Sequence, residues 1–524
     1  MAVKREQGFA KIAVTLGLTL FVVNSVVFIF LGQVNADEGW YLYASKLVYT
    51  GHHPYQDFAF TQTPLLPYIY GIAQNLFIQS LYLGRITSVI FSAAAFTLSL
   101  TIARNYGGPV AMGLAALLGA TFTYGIYFQS ITKTHALVTF FFTLAIYVLS
   151  VDIRQNLKAI FLTIIVILAA LTRLSALFFA IPFLTYALAT ANVKTKGFIV
   201  AIGFLALFWV LTLALPDTAA AEWGLLTHHA SQWGDISLVE RVGQVLGTRT
   251  LQFLVAFPLY TLLWLTLFFM AYKHIYQTQR QSERATGRRK YQIMPVASIK
   301  TQAQRYFVIL MATTGLLLFA VPNWISGRFY QEYFVPLIFV SLPITSIVYT
   351  KLIPHQGQYA KAFMNLALLT TIVSGVTYGG FYFIDTSGGS APIEEISHVS
   401  AIIAENSTAS DELFVLEGLS LAIESQRSVI PNMTMAQFSF YDADTETVNQ
   451  LHLVNAQIIL STIEAARPKI VVLTDLDWLL LQDTAYYKEI VVALQEKYRL
   501  IHSAEKFGQH SNHVDVYIRR DGTS

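Results

Sequence analysis

The sequence predicts a mainly α-helical, polytopic membrane protein with about 11 spanning helices, followed by a soluble C-terminal α/β domain. Three observations predict it. Of 524 residues, 55% are hydrophobic and only 12% charged, where soluble chains carry about 25%. Apolar stretches of the ~20 residues that a bilayer-spanning helix needs recur along the first three quarters of the chain. The charge balance also changes sign at Ile384: residues 1–384 hold 25 Lys+Arg against 11 Asp+Glu, and residues 385–524 hold 9 against 20. There is no cysteine, which excludes disulfides, thiolate metal sites and cysteine nucleophiles.

The N-terminal segment carrying the first span, 10–33, begins with Lys4, Arg5 and Lys11 as a signal peptide would. Its apolar run is longer than the ~7–15 residues of a signal core and no small-residue cleavage site follows, so it reads as a retained helix. Further spans are predicted at 82–103, 109–128, 135–151, 158–171, 174–190, 198–216, 251–272, 306–322, 329–350 and 362–384. The 158–190 region admits two short helices or one kinked one, because only Thr172–Arg173 separates its apolar runs.

With the N-terminus cytoplasmic, the inner segments carry 18 basic residues and the outer segments of the membrane part seven. The positive-inside rule favours this orientation. The inner loop 273–305, with Arg280, Arg284, Arg288, Arg289 and Lys290, reads as a topology-fixing cluster against anionic lipid rather than a nucleic-acid site. Eleven spans place the acidic tail outside. The expectation is a multi-pass plasma-membrane protein with a membrane module at 1–384, a large outer loop at 34–81 and an extracytoplasmic domain at 385–524. No repeat of the kind found in many secondary transporters is evident.

The outer loop 34–81 is the most informative segment. Asp37-Glu38 opens a helix-like run to Thr50, in which Trp40, Tyr43, Ala44 and Leu47 form an apolar stripe suited to the membrane interface. Gly51 ends it, and Pro64 opens a second interfacial helix running to Gln79. Carboxylates at a helix start cap free N–H groups and suit the dipole. An acidic side chain at the bilayer edge also takes a proton from an acceptor hydroxyl or holds a divalent cation, Mg or Mn, against a phosphate. Both readings of Asp37 and Glu38 stand. His52, His53 and Asp57 either complete a site or make only a turn.

The order Asp37-Glu38, aromatic helix, Gly51-x-x-Pro54-Tyr55-x-Asp57-Phe58 and Pro64-Leu65-Leu66-Pro67 resembles the GT-C superfamily of membrane glycosyltransferases. The similarity is greatest to the branch of protein O-mannosyltransferases and bacterial aminoarabinose transferases (family 39 and its relatives). Arg85-Ile86-Thr87-Ser88, Leu171-Thr172-Arg173 and Arg328-Phe329-Tyr330-Gln331-Glu332-Tyr333 are similar to motifs at later span ends of that branch, with arginine at 173 where lysine is usual. The resemblance covers roughly 10–384. It implies a GT-C fold and an enzyme that moves a sugar, usually with inversion, from a polyprenyl-phosphate carrier to a lipid, glycan or protein acceptor at the outer face. It maps the catalytic acid pair onto Asp37 and Glu38, with Asp37 as base or acceptor-orienting group.

A polyprenyl phosphate leaves as an anion, so such a site needs cations. Arg328, Arg173, Arg85 and Lys133 fall at outer span ends and are the donor-phosphate candidates, with His135 beside Lys133. His53, Asp57, Tyr330 and Glu332 are candidates for substrate contact, although Glu332 also stands four residues from Arg328 as a salt-bridge partner. The second outer loop offers Glu222, Trp223, His228, His229, Trp233 and Asp235, read first as interfacial anchors. A transporter or flippase of a lipid-linked sugar is the alternative, using the same cations without a base. In the tail, strands are expected at 413–416, 470–473, 500–502 and 514–518, and Asp475 and Asp477 after the second read as helix caps.

Overall fold

The computed structural model describes residues 2–228, 237–251, 296–325, 330–352, 392–509 and 512–520, with Asn365, Leu369 and Ile384. The membrane part begins with α1 (Ala2–Leu31), α2 (Ala36–Tyr49), α3 (Leu65–Leu76) and α4 (Leu81–Gly107). It continues through α5 (Pro109–Thr121), α6 (Thr123–Ser130), α7 (Thr134–Ser150), α8 (Gln155–Thr172), α9 (Ala176–Thr190) and α10 (Val193–Ala214). The helices Val296–Ile325 and Val335–Leu352 follow. Among the described residues six helices are long and apolar enough to cross a bilayer, or seven if the bent pair α5–α6 is one span; α7 and α9 are shorter and equally apolar. The expected spans 251–272 and 362–384 lie outside the described residues, apart from Leu251, Asn365, Leu369 and Ile384.

Two expectations are refined. The stretch 109–128 is not one straight helix but is bent by 71° at Phe122. Phe122 leaves the helical region (ψ 65°), and its ring lies over Gly125, where an added Cβ would come within 2.2 Å of it. No proline marks this break. The region 158–190 is two helices, α8 and α9, packed on each other. Arg173 adopts an extended conformation between them and ends α8.

α2 and α3 pack on each other and run between α1 and α4 in sequence. Asn35 caps α2: its side chain accepts the Asp37 N–H at 3.1 Å, and Glu38 reaches back to the Asn35 N–H at 3.1 Å. This reciprocal capping box fixes the start of the helix.

The C-terminal part is a five-stranded mixed sheet, β1 (Glu412–Phe414), β2 (Ser428–Val429), β3 (Ile470–Thr474), β4 (Tyr498–Phe507) and β5 (Asn512–Arg519), in the order β2-β1-β3-β5-β4. β1 pairs in parallel with β2 and β3, while β5 runs antiparallel to β3 and β4. β3 is the middle strand and all five of its residues are buried, as the unbroken apolar run Ile470–Leu473 requires of a strand covered on both faces. The C-terminal domain contacts the membrane part through α2 and the start of α4. It also meets the segment after α10, where His452 approaches Asp217 at 3.2 Å and the Trp223 and Tyr441 rings meet. These contacts place the loop 34–81 and the C-terminal sheet on one side of the membrane helices.

Candidate active site

The two adjacent carboxylates of α2 have different surroundings, because neighbouring helical residues point about 100° apart. Glu38 is fully buried and forms a two-pronged ion pair with Arg85, at 2.9 Å to Nε and 2.7 Å to Nη2. It also accepts the Thr132 N–H at 3.2 Å. The Arg85 guanidinium donates to the carbonyls of Phe28, Ile29, Gly32 and Gln33, satisfying the open C-terminal end of α1. Together the pair joins α1, α2, α4 and the α6–α7 connection. Arg85 is therefore not placed to meet a donor phosphate, and Glu38 is not placed to react: both have their partners inside the protein.

Asp37 faces the other way. Its Oδ1 accepts from the Trp40 indole N–H at 3.1 Å, its Oδ2 lies 2.7 Å from Lys133 Nζ, and its side chain is 24% exposed. Lys133 stands in the connection between the broken span and α7, and also reaches Glu332 at 3.4 Å. Burial alone would lower its pKa, but the Asp37 and Glu332 carboxylates outweigh burial and raise it. Arg173, at the end of α8, lies 4.3 Å over the Tyr333 ring and donates to Asn323 at 3.1 Å. Burial lowers the Arg173 pKa. Tyr41 stacks on Trp40 at 3.7 Å; burial, then the Asp37 charge, pushes its phenol well up, so it stays a neutral donor. His135 is buried beside the Phe128 ring, and among the described residues neither of its nitrogens has a partner.

Of the residues singled out from sequence, the structure thus gathers Asp37, Lys133 and Glu332 by direct contact, with Arg173 next to Tyr333. Tyr330 joins at the edge, its ring 5.3 Å from Tyr333. Arg328 lies outside the described residues. His53 and Asp57 are exposed and make a turn: the Asp57 carboxylate accepts the His53 N–H at 2.6 Å, around Tyr55 at φ 70°. No hydrogen bond or ion pair among the described residues links them to Asp37. Tyr41, Asn323 and Tyr333 were not predicted from sequence; only the place of Tyr41 and Tyr333 inside the Asp-Glu and Glu-Tyr motifs signalled them, and Asn323 carried no signal.

Asp37 and Glu38 do not fit a shared divalent cation. Arg85 already neutralises Glu38, and Lys133 occupies Asp37. Among the described residues no three His, Asp or Glu side chains converge. Chemically, the cluster offers two partly exposed carboxylates, Asp37 and Glu332, with the buried Lys133 between them and phenols close by. That arrangement suits accepting a proton next to a departing anion.

No protein-family model matches the chain, and neither does any curated protein sequence. Solved structures do match. ArnT from Cupriavidus metallidurans bound to undecaprenyl phosphate aligns over 99% of this chain and 99% of its own, with a TM-score of 0.56 and 12% identity. The apo state of the same protein aligns over 96% and 97%, with a TM-score of 0.56 and 13% identity. The oligosaccharyltransferase of Archaeoglobus fulgidus in complex with zinc and sulfate is more distant, at a TM-score of 0.48 and 15% identity over 95% of this chain and 72% of that one. The chain therefore shares its fold with ArnT, across the membrane part and the C-terminal domain alike.

Proposed function

We propose that this chain is an integral membrane glycosyltransferase that moves a sugar from a polyprenyl-phosphate donor to an acceptor hydroxyl or amine at the extracytoplasmic face, with inversion. One observation carries the reading: in a GT-C fold, the partly exposed Asp37 carboxylate stands at the mouth of the first span, 2.7 Å from a buried lysine. The structural neighbour that aligns over nearly its whole length holds undecaprenyl phosphate.

The acceptor O–H or N–H attacks the anomeric carbon. A new glycosidic bond forms as the bond from that carbon to the phosphate oxygen breaks, and the electron pair leaves with the phosphate. Asp37 takes the acceptor's proton, while Lys133 and Arg173 face the growing phosphate charge. The wall of Tyr41, Trp40 and Tyr333 keeps bulk water from competing as acceptor. No metal is assigned a step.

The test uses purified protein in detergent with a panel of radiolabelled polyprenyl-phosphate sugars and a membrane acceptor extract, comparing wild type with Asp37→Asn. Transfer by wild type, reduced roughly 10²–10⁴-fold in the variant, is expected for loss of a general base. Normal turnover by Asp37→Asn would remove the mechanism. Binding of donor by both with no release from any member of the panel favours a flippase of lipid-linked sugar instead.

A further inference from the structure

The C-terminal domain touches α2 along one face. Gln509, at the tip of the β4–β5 hairpin, accepts the Ala36 N–H on its side-chain oxygen at 3.0 Å, and its backbone carbonyl accepts from the Gln33 side chain at 2.6 Å. One turn on, Gly39 is in direct contact with the backbone of the helix Ser420–Glu424: a Cβ there would stand 2.7 Å from the Ser420 nitrogen. The Tyr43 hydroxyl accepts the Val429 N–H at 3.0 Å, and Lys46 donates to the Arg427 carbonyl at 2.9 Å. Positions 36, 39, 43 and 46 are spaced three, four and three apart, so they lie on one stripe of the helix. Asp37 points off that stripe, toward Lys133.

The strand that leaves the hairpin is itself held at its start. Asn512 donates to both Glu417 oxygens, at 3.1 and 2.8 Å, and Glu417 in turn accepts from the Thr474 hydroxyl at 2.5 Å. Glu417 thus ties the start of β5, three residues beyond Gln509 in the chain, to the buried end of β3.

We propose that the C-terminal α/β domain sets the position of Asp37, with Gln509 as the positioning residue acting on the first turn of α2. This rests on the reading of Asp37 as the proton acceptor. Lateral placement of the carboxylate against the acceptor then depends on a contact 473 positions away in the chain, and a displacement of about 1 Å at a reacting group costs as much as 10²-fold in rate.

The experiment measures kcat and donor KM per folded molecule in the detergent assay above, for wild type, Gln509→Ala, Gln509→Glu and Asp37→Asn. Gln509→Ala removes the side-chain acceptor and is expected to lower kcat roughly 10- to 100-fold with donor KM unchanged. Gln509→Glu keeps an acceptor at that place and restores kcat. Should Gln509→Ala fail to accumulate, Gln33→Met removes the second bond to the same residue and is expected to show the same split. Wild-type kcat in Gln509→Ala or Gln33→Met, with Asp37→Asn inactive, overturns the positioning role and leaves the Asp37 mechanism standing. Wild-type kcat in Asp37→Asn overturns the mechanism beneath it. A kcat loss that Gln509→Glu does not rescue also overturns the proposal, because the hydrogen bond is then not what matters.

Discussion

Lys133 stands between two carboxylates, with its Nζ 2.7 Å from Asp37 and 3.4 Å from Glu332, and its side chain is only 8% exposed. A lysine so placed keeps its charge at the edge of a low-dielectric layer because its partners offset the desolvation. Its raised pKa has a definite sign. The stability it contributes is complete below the ordinary lysine value of about 10.4 and is lost only as pH climbs past its raised value. Any decline in activity between pH 7 and 10 therefore arises elsewhere.

Replacing this lysine tests its part in the reaction. Lys133→Met is expected to lower kcat/KM for the donor roughly 10²–10³-fold, the range for removing one group that stabilises developing negative charge. Steady-state kinetics with a labelled polyprenyl-phosphate sugar check this. A lower melting temperature with unchanged kcat/KM would make the lysine a purely structural bridge.

The pair Glu38–Arg85 is expected to act on stability instead. Both side chains are 0% exposed, and removing one partner of a buried pair leaves an uncompensated charge at about 3–5 kcal/mol. Arg85→Met should therefore lower the melting temperature in detergent strongly. Arg85→Met combined with Glu38→Met should recover part of the loss, since no lone charge remains. Donor KM unchanged in whatever folded Arg85→Met survives would separate this role from phosphate binding; a raised KM with a normal melting temperature would return Arg85 to the donor site.

How much of this was legible in the sequence follows from the range of each interaction. The α2 start was legible, because Asn35 and Glu38 are three residues apart and a capping box is local. That Glu38 is locked in a buried ion pair while Asp37 stays partly exposed was not, because their deciding partners, Arg85 and Lys133, are 47 and 96 positions away from them. The break at Arg173 was visible as a polar interruption of an apolar run. The bend at Phe122 was not, since it comes from a ring folding over a glycine and leaves no proline or charge behind. In the tail, the apolar run of β3 announced itself, whereas β2 has only two residues and is defined by its pairing with β1 alone.

Asp477 predicts a pH dependence of stability. Burial, opposed by hydrogen bonds from the Thr474 and Glu417 backbone, pushes its pKa up to about 7. The ordinary value is about 3.9. A carboxyl that binds its proton more tightly when folded favours folding most at low pH, and that contribution shrinks as pH rises from about 4 to about 7. The Asp477→Asn variant should lack this downward slope. Melting curves of the full protein at intervals across that window, wild type against variant, check it; parallel curves would mean that Asp477 is ionised throughout.

The absence of cysteine makes the topology directly testable with single introduced thiols. The contacts of the C-terminal sheet with α2 put Ser410 on the side of Asp37. Asp152, in the turn between α7 and α8, lies at the far end of a helix that begins beside Lys133. Both positions are exposed. With the basic loops cytoplasmic, Ser410→Cys should react with a membrane-impermeant maleimide in intact cells, and Asp152→Cys should react only after permeabilisation. The reverse pattern would place Asp37 at the cytoplasmic face and overturn an extracytoplasmic site. Equal labelling of both in intact cells would mean that the helices between them do not separate two aqueous compartments, against a chain in which α7 is a 17-residue, mostly apolar helix from one turn to the other.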